Sequence, residues 1–309
     1  MILNTKQYDL IIIGAGAAGL TAAIYGSRRE LKTLVLSMNL GGQAAMAWEI
    51  ENYPGTETKS GVGLMKIFAD QAKKFGAEIV YDKVEKIEKA GNIFRVKSSK
   101  DSFVAKAVIL ALGKTPRKLN VPGEGKYHNK GVVYCATCDS PLFKDKIVAV
   151  VGGGNSAFDA AILLTKIAKK VYLIHRREEF RAEEYRIEKL KKAKNAEMIL
   201  NAEIKTLKGK DFLQSVIVLN NKTNQETELK IQGLFVEIGY EVDPTLFKNL
   251  VDIDEIYQIK TKICGETSTP GIFAAGDVSD VPYKQIVISA GAGAKAALCA
   301  YDYINKNKN

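Results

Sequence analysis

The fold is decided by one stretch, YDLIIIGAGAAG at residues 8–19. Its aliphatic run predicts a buried parallel strand, which ends in a GxGxxG turn and continues into an alanine-rich segment that predicts a helix. Gly14 permits the tight turn, Gly16 lets the backbone approach a pyrophosphate, and Gly19 allows the helix to pack closely on the strand. A second strand ends at Ser37, where an acidic residue usually binds the ribose. This strand–turn–helix–strand order indicates a dinucleotide-binding unit.

The same pattern occurs again in the middle of the chain. A predicted strand from Lys146 to Val151 runs into GGGNSA at residues 152–157, followed by a predicted helix and a strand from Lys170 to Ile174. That strand ends in His175-Arg176-Arg177, and Arg181 lies one turn beyond if the next segment is helical. Guanidinium groups bind phosphate in a planar, bidentate way, so this end suits a 2′-phosphate. The alternative interpretation is that these arginines are only the exposed, basic first turn of a helix, without a ligand.

A cysteine pair lies between the two glycine turns, in YCATCD at residues 134–139. A Cys-x-x-Cys pair can close and reopen a small disulfide ring. In a reducing compartment such a pair is more often a redox-active disulfide than a structural one. Asp139 follows directly and is placed to carry a proton. The alternative is half of a four-cysteine zinc site, but that site needs a second Cys-x-x-Cys, and the other cysteines, Cys264 and Cys299, are isolated.

Composition narrows the class of protein. The chain has 309 residues, of which 46% are hydrophobic and 26% charged, as in a globular protein of two ordinary domains. The net charge of +10 comes mostly from lysine, with a cluster at residues 189–194. It indicates a solvated surface or the steering of an acidic protein partner, and no nucleic-acid-binding motif accompanies it. Without a signal peptide or an apolar stretch of membrane-spanning length, we expect a soluble, cytoplasmic protein.

The two glycine turns imply two domains, one inserted in the other. We predict an outer dinucleotide-binding domain formed by residues 1–115 and 246–309, and an inserted dinucleotide-binding domain formed by residues 116–245, which also carries the cysteine pair. The predicted linkers are Lys114–Arg117, where Pro116 favours an extended path, and Gly239–Pro244. The fold class is therefore α/β with two Rossmann-like domains. The simplest mechanism passes hydride to a flavin and then electrons to the disulfide.

The remaining elements follow from periodicity and turn residues. They are predicted as helices at Gly61–Phe75 and from about Ile286 to Tyr303, strands within Ala77–Phe103, a buried strand at Ala105–Leu112, a β-rich segment at Asn195–Val236, and a strand ending at Gly276-Asp277.

Taken in order, these motifs resemble the low-molecular-weight thioredoxin reductases of bacteria and archaea. Besides the two glycine turns and the cysteine pair, the resemblance rests on Gly41-Gly42-Gln43, on ENYPG at residues 51–55, and on Gly276-Asp277 with Gln285. It covers essentially the whole chain. It implies a homodimer that reduces thioredoxin or a similar small redox protein. It also implies that the outer domain, residues 1–115 and 246–309, binds FAD and that the inserted domain, residues 116–245, binds NADPH.

The resemblance also implies roles for individual residues. Those implied to bind FAD are Gly14, Gly16, Ala17, Gly19, Gly42, Gln43, Asn52, Gly113, Gly276, Asp277, Lys284 and Gln285. Those implied to bind NADPH are Gly152, Gly154, Asn155, Ser156, His175, Arg176, Arg177 and Arg181. Cys138 is expected to face the flavin, Cys135 to exchange with the partner disulfide, and Asp139 to act as acid–base. No metal is expected.

Two stretches depart from the family pattern. AAMAW at residues 44–48 replaces a threonine-rich stretch and makes the surroundings of the flavin more apolar, and Leu112 stands where threonine is common. Other functions remain open: a glutaredoxin-like or peroxiredoxin-linked partner, ferredoxin as the electron donor, or a flavin-bearing scaffold without activity. The intact second glycine turn and its arginines disfavour ferredoxin, and the intact cysteine pair disfavours the scaffold. The inserted domain is expected to rotate about its two linkers between half-reactions.

Overall fold

The computed structural model describes residues 6–47, 50–57 and 59–307, and of Thr137 and Cys138 it describes the backbone alone. The chain divides into two compact units. Unit 1 contains the residues up to Thr115 and from Glu241 onward, and unit 2 runs from Pro116 to Tyr240. The second junction lies a few residues before the predicted boundary at 245/246.

Unit 1 is built on one sheet with the strand order β3-β2-β1-β6-β5-β4, and β17 pairs with the end of β6. Strands β1, β2, β3, β6 and β17 run parallel, and the β4–β5 hairpin is antiparallel. The strands are β1 Lys6–Ala15, β2 Thr33–Leu40, β3 Glu78–Tyr81, β4 Val84–Ala90, β5 Ile93–Ser98, β6 Ser102–Leu110 and β17 Ile272–Ala274. The helices are α1 Ala17–Arg28, α2 Gly61–Lys74 and α7 Ile286–Lys306, with a 3-10 turn at Gly42–Met46.

Strand β1 has a continuous apolar run because both of its faces are covered. Ile12 packs into a core cluster with α1, α2 and α7, whereas Ile11 and Ile13 pack into a second cluster with β5 and the loop around Phe247. All three side chains are buried. A strand that is covered on both faces needs apolar side chains at every position, which is why the run at residues 10–13 has no polar alternation.

Unit 2 contains a five-stranded parallel sheet in the order β11-β10-β9-β15-β8 and an antiparallel sheet, β12-β13-β14. The strands are β8 Val132–Val133, β9 Ile147–Val151, β10 Lys170–Ile174, β11 Ala196–Ile199, β12 Ala202–Gly209, β13 Leu213–Asn220, β14 Glu226–Lys230 and β15 Gly233–Val236. The helices are α3 Glu124–Tyr127, α4 Ala136–Asp139, α5 Asn155–Thr165 and α6 Glu184–Lys191, with a 3-10 turn at Ser140–Phe143.

The chain passes between the units twice. The two crossing segments, β7 Thr115–Pro116 and β16 Tyr240–Glu241, pair with each other as a two-stranded sheet. Within the described residues, no helix combines the length and apolarity needed to cross a membrane.

In unit 1, helices α1 and α7 touch through small residues. A Cβ atom on Gly293 would lie 2.0 Å from the carbonyl oxygen of Ala18, well inside any permitted contact. The glycine-rich start of α7 therefore has a packing reason, because a larger residue would push the two helices apart.

This contact yields a matched pair of variants. Gly293→Ala is expected to lower the free energy of unfolding by about 1–3 kcal/mol, since the added methyl group overlaps backbone. Gly291→Ala is the control: nothing lies within 4 Å of its Cβ position, so removing a helical glycine is expected to stabilise by about 0.5–1 kcal/mol. Urea unfolding followed by circular dichroism measures both. Equal effects of the two substitutions would contradict the contact.

Candidate functional site

The first glycine turn, after β1, has almost no room for side chains. Gly14 has a φ of 112°, and a Cβ atom there would lie 2.2 Å from the carbonyl oxygen of Ala111. A Cβ atom on Gly19 would lie 1.8 Å from the carbonyl oxygen of Gly14. Gly16 precedes α1 and no side chain caps the helix there. The first N–H groups of α1 are therefore available to an anionic ligand such as a pyrophosphate.

Three more segments reach the same edge of the unit 1 sheet, because parallel strands end side by side. The N–H of Gly41 donates to Ala15 (2.7 Å), that of Ala111 to Ile13 (2.8 Å), and that of Ala275 to Leu110 (3.0 Å). This edge carries the predicted FAD-binding residues Gly14, Gly16, Ala17, Gly19, Gly42, Gln43, Gly113, Gly276 and Asp277. Ligands of open α/β sheets bind at this kind of edge.

Distant parts of the chain meet beside this edge. Asn52 Nδ2 donates to Gln285 Oε1 at 3.1 Å, across 233 positions of sequence. Gln285 precedes α7, and Ser289 in its first turn donates from Oγ to Asp277 Oδ1 at 3.1 Å. The predicted residues Asn52, Asp277 and Gln285 are thus held by each other and by α7. Sequence reasoning missed Ser289, because only the fold shows which residue of the helix faces Asp277.

The ammonium group of Lys284 closes the loop that follows Asp277. Its Nζ donates to the carbonyl oxygens of Ser279 (2.6 Å) and Asp277 (3.3 Å). Burial, together with the nearby charge of Lys114, lowers the pKa of Lys284. Both of these hydrogen bonds go to carbonyl oxygens of the loop. Lys284, which was predicted to bind the cofactor, thus helps to hold Asp277 in place.

The apolar stretch after Gln43 fills space in unit 1. Ala44, Ala45 and Ala47 pack against the core cluster under α1 and α2. A Cβ atom on Gly61 would lie 2.0 Å from the carbonyl oxygen of Ala44, so α2 begins in direct contact with this turn. Trp48 lies outside the described residues. The departure from the family pattern thus has a packing role at residues 44–47.

The second glycine turn, in unit 2, is also crowded on one side and open on the other. A Cβ atom on Gly152, whose φ is 154°, would lie 2.3 Å from the carbonyl oxygen of Glu237, and one on Gly153 would overlap the ring of His175. Gly154, in contrast, has nothing within 4 Å of its Cβ position, and no side chain caps α5. With Asn155 and Ser156 exposed at the start of α5, this geometry fits a phosphate-bearing ligand.

The arginine segment does not form the helix on which the spacing of Arg181 was based. Residues 175–183 are irregular, and α6 begins only at Glu184. The segment instead folds back on the glycine turn: the N–H of Arg181 donates to the carbonyl oxygen of Gly153 at 2.8 Å, and that of Glu183 to Asn155 Oδ1 at 2.9 Å. These tertiary hydrogen bonds take the place of helical ones, and they hold the backbone of Arg181 beside the glycine turn.

The ring of His175 anchors this arginine segment. His175 Nε2 lies 3.0 Å from the carbonyl oxygen of Glu179, and the ring stacks on Phe180 with centroids 5.2 Å apart. Burial lowers the pKa of His175, and the charges of the neighbouring arginines lower it further. A neutral imidazole at pH 7 makes His175 a structural support of the turn.

Three arginines, Arg176, Arg177 and Arg181, lie near His175, whose ring packs against Gly153, and their charges act on that ring. All three residues are exposed, and none of these guanidinium groups has a carboxylate partner within the described part of the chain. Unpaired arginines near a glycine turn provide a positive site for an anion.

The cysteine segment lies on the same unit. Strand β8 leads to Cys135, which is buried, and the N–H of Asp139 donates to the carbonyl oxygen of Cys135 at 3.1 Å. Burial raises the pKa of Asp139, and the charge of His128 partly offsets that rise. An aspartate that retains its proton more readily than usual suits proton transfer to a thiolate. The predicted side-chain contacts of Cys138 lie outside the described residues.

The residue before the cysteine pair is fixed by a buried acid. Tyr134 Oη donates to Glu124 Oε1 at 2.6 Å, and the same carboxylate accepts the N–H groups of Leu119 and Asn120. The ring of His128 packs edge-on against Tyr134. Glu124 was not identified from the sequence, because an acidic residue at the start of a one-turn helix gives no signal that it is buried.

Glu237 links the cysteine segment to the second glycine turn. It follows β15, its N–H donates to the carbonyl oxygen of Val151 at 2.9 Å, and its carboxyl group accepts the N–H of Ala136. Burial raises the pKa of Glu237 to about 7. One feature of the sequence could have indicated this residue: Glu237 directly follows the apolar strand residues LFV, at the end of a parallel strand where ligands usually bind.

Comparison with known proteins agrees with this geometry. The family model for pyridine nucleotide-disulphide oxidoreductases matches residues 8–296. The chain is 39% identical to a thioredoxin reductase of Peptoclostridium acidaminophilum, covering 97% of this chain and 98% of that protein. The chain belongs to the thioredoxin reductase family. It is also 41% identical to a 34.2 kDa protein in the rubredoxin operon of Clostridium pasteurianum, covering 97% and 98% of the two chains.

Solved structures support the family and the fold. A thioredoxin reductase of Lactococcus lactis, described as being in the FR conformation, has a TM-score of 0.86 at 38% identity and covers 97% of this chain and 99% of its own. The predicted family and the α/β fold of two Rossmann-like domains are thus confirmed, and the protein is a disulfide oxidoreductase.

Glu237 gives a pH-dependent prediction. In the unfolded chain this carboxyl group ionises near its usual pKa, whereas in the fold it ionises only near pH 7. Stability is therefore lost as the pH rises from about 4.5 through 7, by about 1–3 kcal/mol in all. Glu237→Gln keeps an acceptor for Ala136 without ionising, and it is expected to be more stable than wild type at pH 8 but nearly equal at pH 5.

Thermal and urea unfolding at both pH values measure this difference. Glu203→Gln, at an exposed glutamate of the same unit, is the control and is expected to show no such dependence. A pH-independent effect of Glu237→Gln would contradict the raised pKa.

Proposed function

We propose that this protein is an NADPH-dependent FAD enzyme that reduces the disulfide of thioredoxin through Cys135 and Cys138. One observation carries the proposal. Strand β15 lies between β9 and β8 in a parallel sheet, so β9 delivers the glycine turn and β8 delivers the cysteine segment to the same edge of one sheet. The proposed nucleotide site and the cysteine segment would thus share one edge of the unit 2 sheet, with β15 between them.

The edge of unit 1 fits a flavin nucleotide. The open N-terminus of α1 suits its pyrophosphate, Asp277 suits the hydroxyl groups of its ribitol, and Asn52 and Gln285 provide amide groups nearby. FAD supplies, when bound, a redox group that takes up hydride from a nicotinamide and gives two electrons to a disulfide. The protein's own residues hold and orient it.

The edge of unit 2 fits NADPH. The pyrophosphate would lie against Gly152 and Gly154, and Arg176, Arg177 and Arg181 would bind the 2′-phosphate. This nucleotide site is the reason that we favour a nicotinamide donor over ferredoxin, which needs neither a glycine turn nor phosphate-binding arginines.

The dithiol performs the exchange with the protein substrate. Cys135 carries no free thiol in the structure because its sulfur is disulfide-bonded. After reduction, the Cys135 thiolate would attack the partner's disulfide and Cys138 would resolve the mixed disulfide, so that two enzyme thiols become a disulfide and the partner gains two thiols. Asp139, with its raised pKa, would supply a proton to the leaving thiolate.

The partner and setting complete the proposal. A small, acidic redox protein fits the net charge of +10, and a glutaredoxin-like or peroxiredoxin-linked protein is the alternative to thioredoxin. We place the enzyme in the cytoplasm, as a homodimer, in keeping with its family.

We further propose that unit 2 rotates between half-reactions. In both hydride transfer and thiol exchange, the reacting atoms must come within about 3–3.5 Å of the same flavin. The nicotinamide and the cysteine pair are both carried by unit 2 in this proposal, so one fixed orientation of that unit would not bring both of them to the flavin. The chain passes between the units only at Thr115–Pro116 and Tyr240–Glu241. Glycines with positive φ stand beside both crossings, at Gly113 and Gly239, each with no atom within 4 Å of its Cβ position. Such backbone can serve as a hinge.

Cofactor preference tests the arginines. Arg177→Ala is expected to weaken NADPH binding about tenfold to a hundredfold, because a charge-assisted bond is lost, and to leave NADH binding nearly unchanged. Lys194→Ala removes an exposed positive charge elsewhere in unit 2 and is the control. Steady-state KM values for both cofactors measure the effect. An equal loss for NADPH and NADH would overturn the assigned role.

Trapping tests the cysteine pair. Cys138→Ser is expected to hold the protein substrate on Cys135 as a mixed disulfide that dithiothreitol releases, since the resolving thiol is absent. Cys135→Ser is the control and is expected to trap much less. Gel electrophoresis without reductant, followed by mass spectrometry, identifies the captured protein. If the wild-type enzyme failed to bleach its flavin absorbance with NADPH under anaerobic conditions, the proposed donor would be wrong.

Rotation has its own test. A covalent cross-link between the units is expected to leave one half-reaction, flavin reduction by NADPH or flavin reoxidation by the dithiol, and to abolish turnover with the protein disulfide. Stopped-flow absorbance follows each half-reaction in fully cross-linked enzyme, and cleavage of the cross-link should restore turnover. Normal turnover of the cross-linked enzyme would exclude rotation.

A further inference from the structure

A second pair of thiols lies in unit 1, whereas the Cys-x-x-Cys segment belongs to unit 2. Cys264 and Cys299 are both free and partly buried, and their side chains hydrogen-bond to each other. They are far apart in sequence, so the fold alone brings them together. Their contact is independent of the function proposed for Cys135 and Cys138.

Both thiols stand on well-fixed backbone. Cys264 lies in a turn in which the N–H of Gly265 donates to Lys262 at 2.9 Å and its own N–H donates to Glu266 Oε2 at 3.1 Å. The N–H of Ala274, in β17, donates to Gly265 at 2.8 Å. The turn is therefore tied to the sheet.

The same turn packs against α7, which carries the second thiol. A Cβ atom on Gly265 would lie 3.5 Å from Cβ of Ala296, a fully buried residue of α7. Cys299 follows Ala296 by three positions and so lies on the same side of the helix. Because the two thiols already contact each other, their sulfurs need to come only somewhat closer to form a disulfide.

We propose that Cys264 and Cys299 form a second, reversible disulfide by exchange with an anionic low-molecular-weight disulfide. The Cys264 thiolate attacks the small disulfide, and one thiolate leaves. Cys299 then attacks Cys264 in the mixed disulfide and expels the second thiolate. The two protons of the cysteines pass to the two released thiolates, and two electrons pass from the protein to the small disulfide.

The surroundings support this order and this class of reagent. Burial and the Cys264 side chain raise the pKa of Cys299 to about 12, with Glu266 and Asp302 contributing, so Cys299 stays protonated and reacts second. The turn is at the surface, where Ile263 is 86% exposed. A cavity of about 330 Å³ adjoins the turn, and its charged lining residues are Lys262, Lys295 and Asp280. The two ammonium groups outnumber the one carboxylate, which favours an anionic disulfide such as oxidised glutathione.

Closing this disulfide would fasten the turn to α7. That helix begins at the residues that hold Asp277 and Asn52, so oxidation is expected to stiffen the edge of unit 1 predicted to bind FAD. From the usual effect of a crosslink across a loop of this length, the midpoint of thermal unfolding should rise by about 5–10 °C.

The test uses the full chain with its cofactor, first reduced, then exposed to oxidised glutathione and alkylated before digestion with trypsin. Tryptic peptides 263–284 and 296–306 contain Cys264 and Cys299, and the Cys-x-x-Cys pair lies apart in peptide 131–144. We expect the first two peptides to appear joined by a disulfide, together with the rise in unfolding midpoint. Cystamine, a cationic disulfide, is expected to react several-fold more slowly.

Single variants test the order of attack. Cys299→Ser is expected to retain glutathione on Cys264, and Cys264→Ser to take up several-fold less on Cys299. Neither residue belongs to the proposed active site, so NADPH-dependent flavin reduction should be unchanged in both. The proposal is overturned if wild type yields the two peptides separately alkylated, or if glutathione remains on Cys264 without the crosslink. Equal labelling of the two variants would overturn the assigned order.

Discussion

Backbone contacts with no room for a Cβ atom set the shape of both candidate nucleotide sites. In unit 1 the helix after β1 presses on the turn at Gly14 and Gly19, and in unit 2 the end of β15 presses on Gly152. Each contact draws a helix N-terminus toward the end of its strand and leaves one glycine uncrowded. A Cβ atom on Gly16 would make only an ordinary contact, 3.7 Å from the carbonyl oxygen of Gly41, and one on Gly154 would have nothing within 4 Å. The steric constraint thus creates, in one step, a tight turn and an uncapped positive helix end for a phosphate.

The parts of the fold that could be predicted are those fixed by local sequence. A buried parallel strand followed by GxGxxG is specified within about twelve residues, and both glycine units were identified in this way. The helical spacing considered for Arg181 is not met, because the backbone N–H groups of Arg181 and Glu183 bond instead to Gly153 and Asn155, nearly thirty positions earlier in the chain. Local propensity is a weak guide where tertiary bonds compete with it.

The supporting residues could not be predicted for a related reason. Ser289, Glu124 and Glu237 act through hydrogen bonds that only the folded chain brings together, and burial adds to the effect of the two glutamates. None of the three belongs to a recognisable motif. Cys264 and Cys299 looked isolated because sequence distance hides their contact. Sequence reasoning therefore finds the groups that perform chemistry more readily than the groups that set their position and protonation.

The paired crossings have a consequence for how such a protein can arise. Because β7 and β16 lie side by side, unit 2 starts and finishes at neighbouring points, and the sheet of unit 1 needs no strand from it. A module with adjacent ends can be gained, lost or exchanged through two short joints without unravelling its host. The architecture therefore lets evolution fit a different electron donor or a different dithiol to an unchanged unit 1.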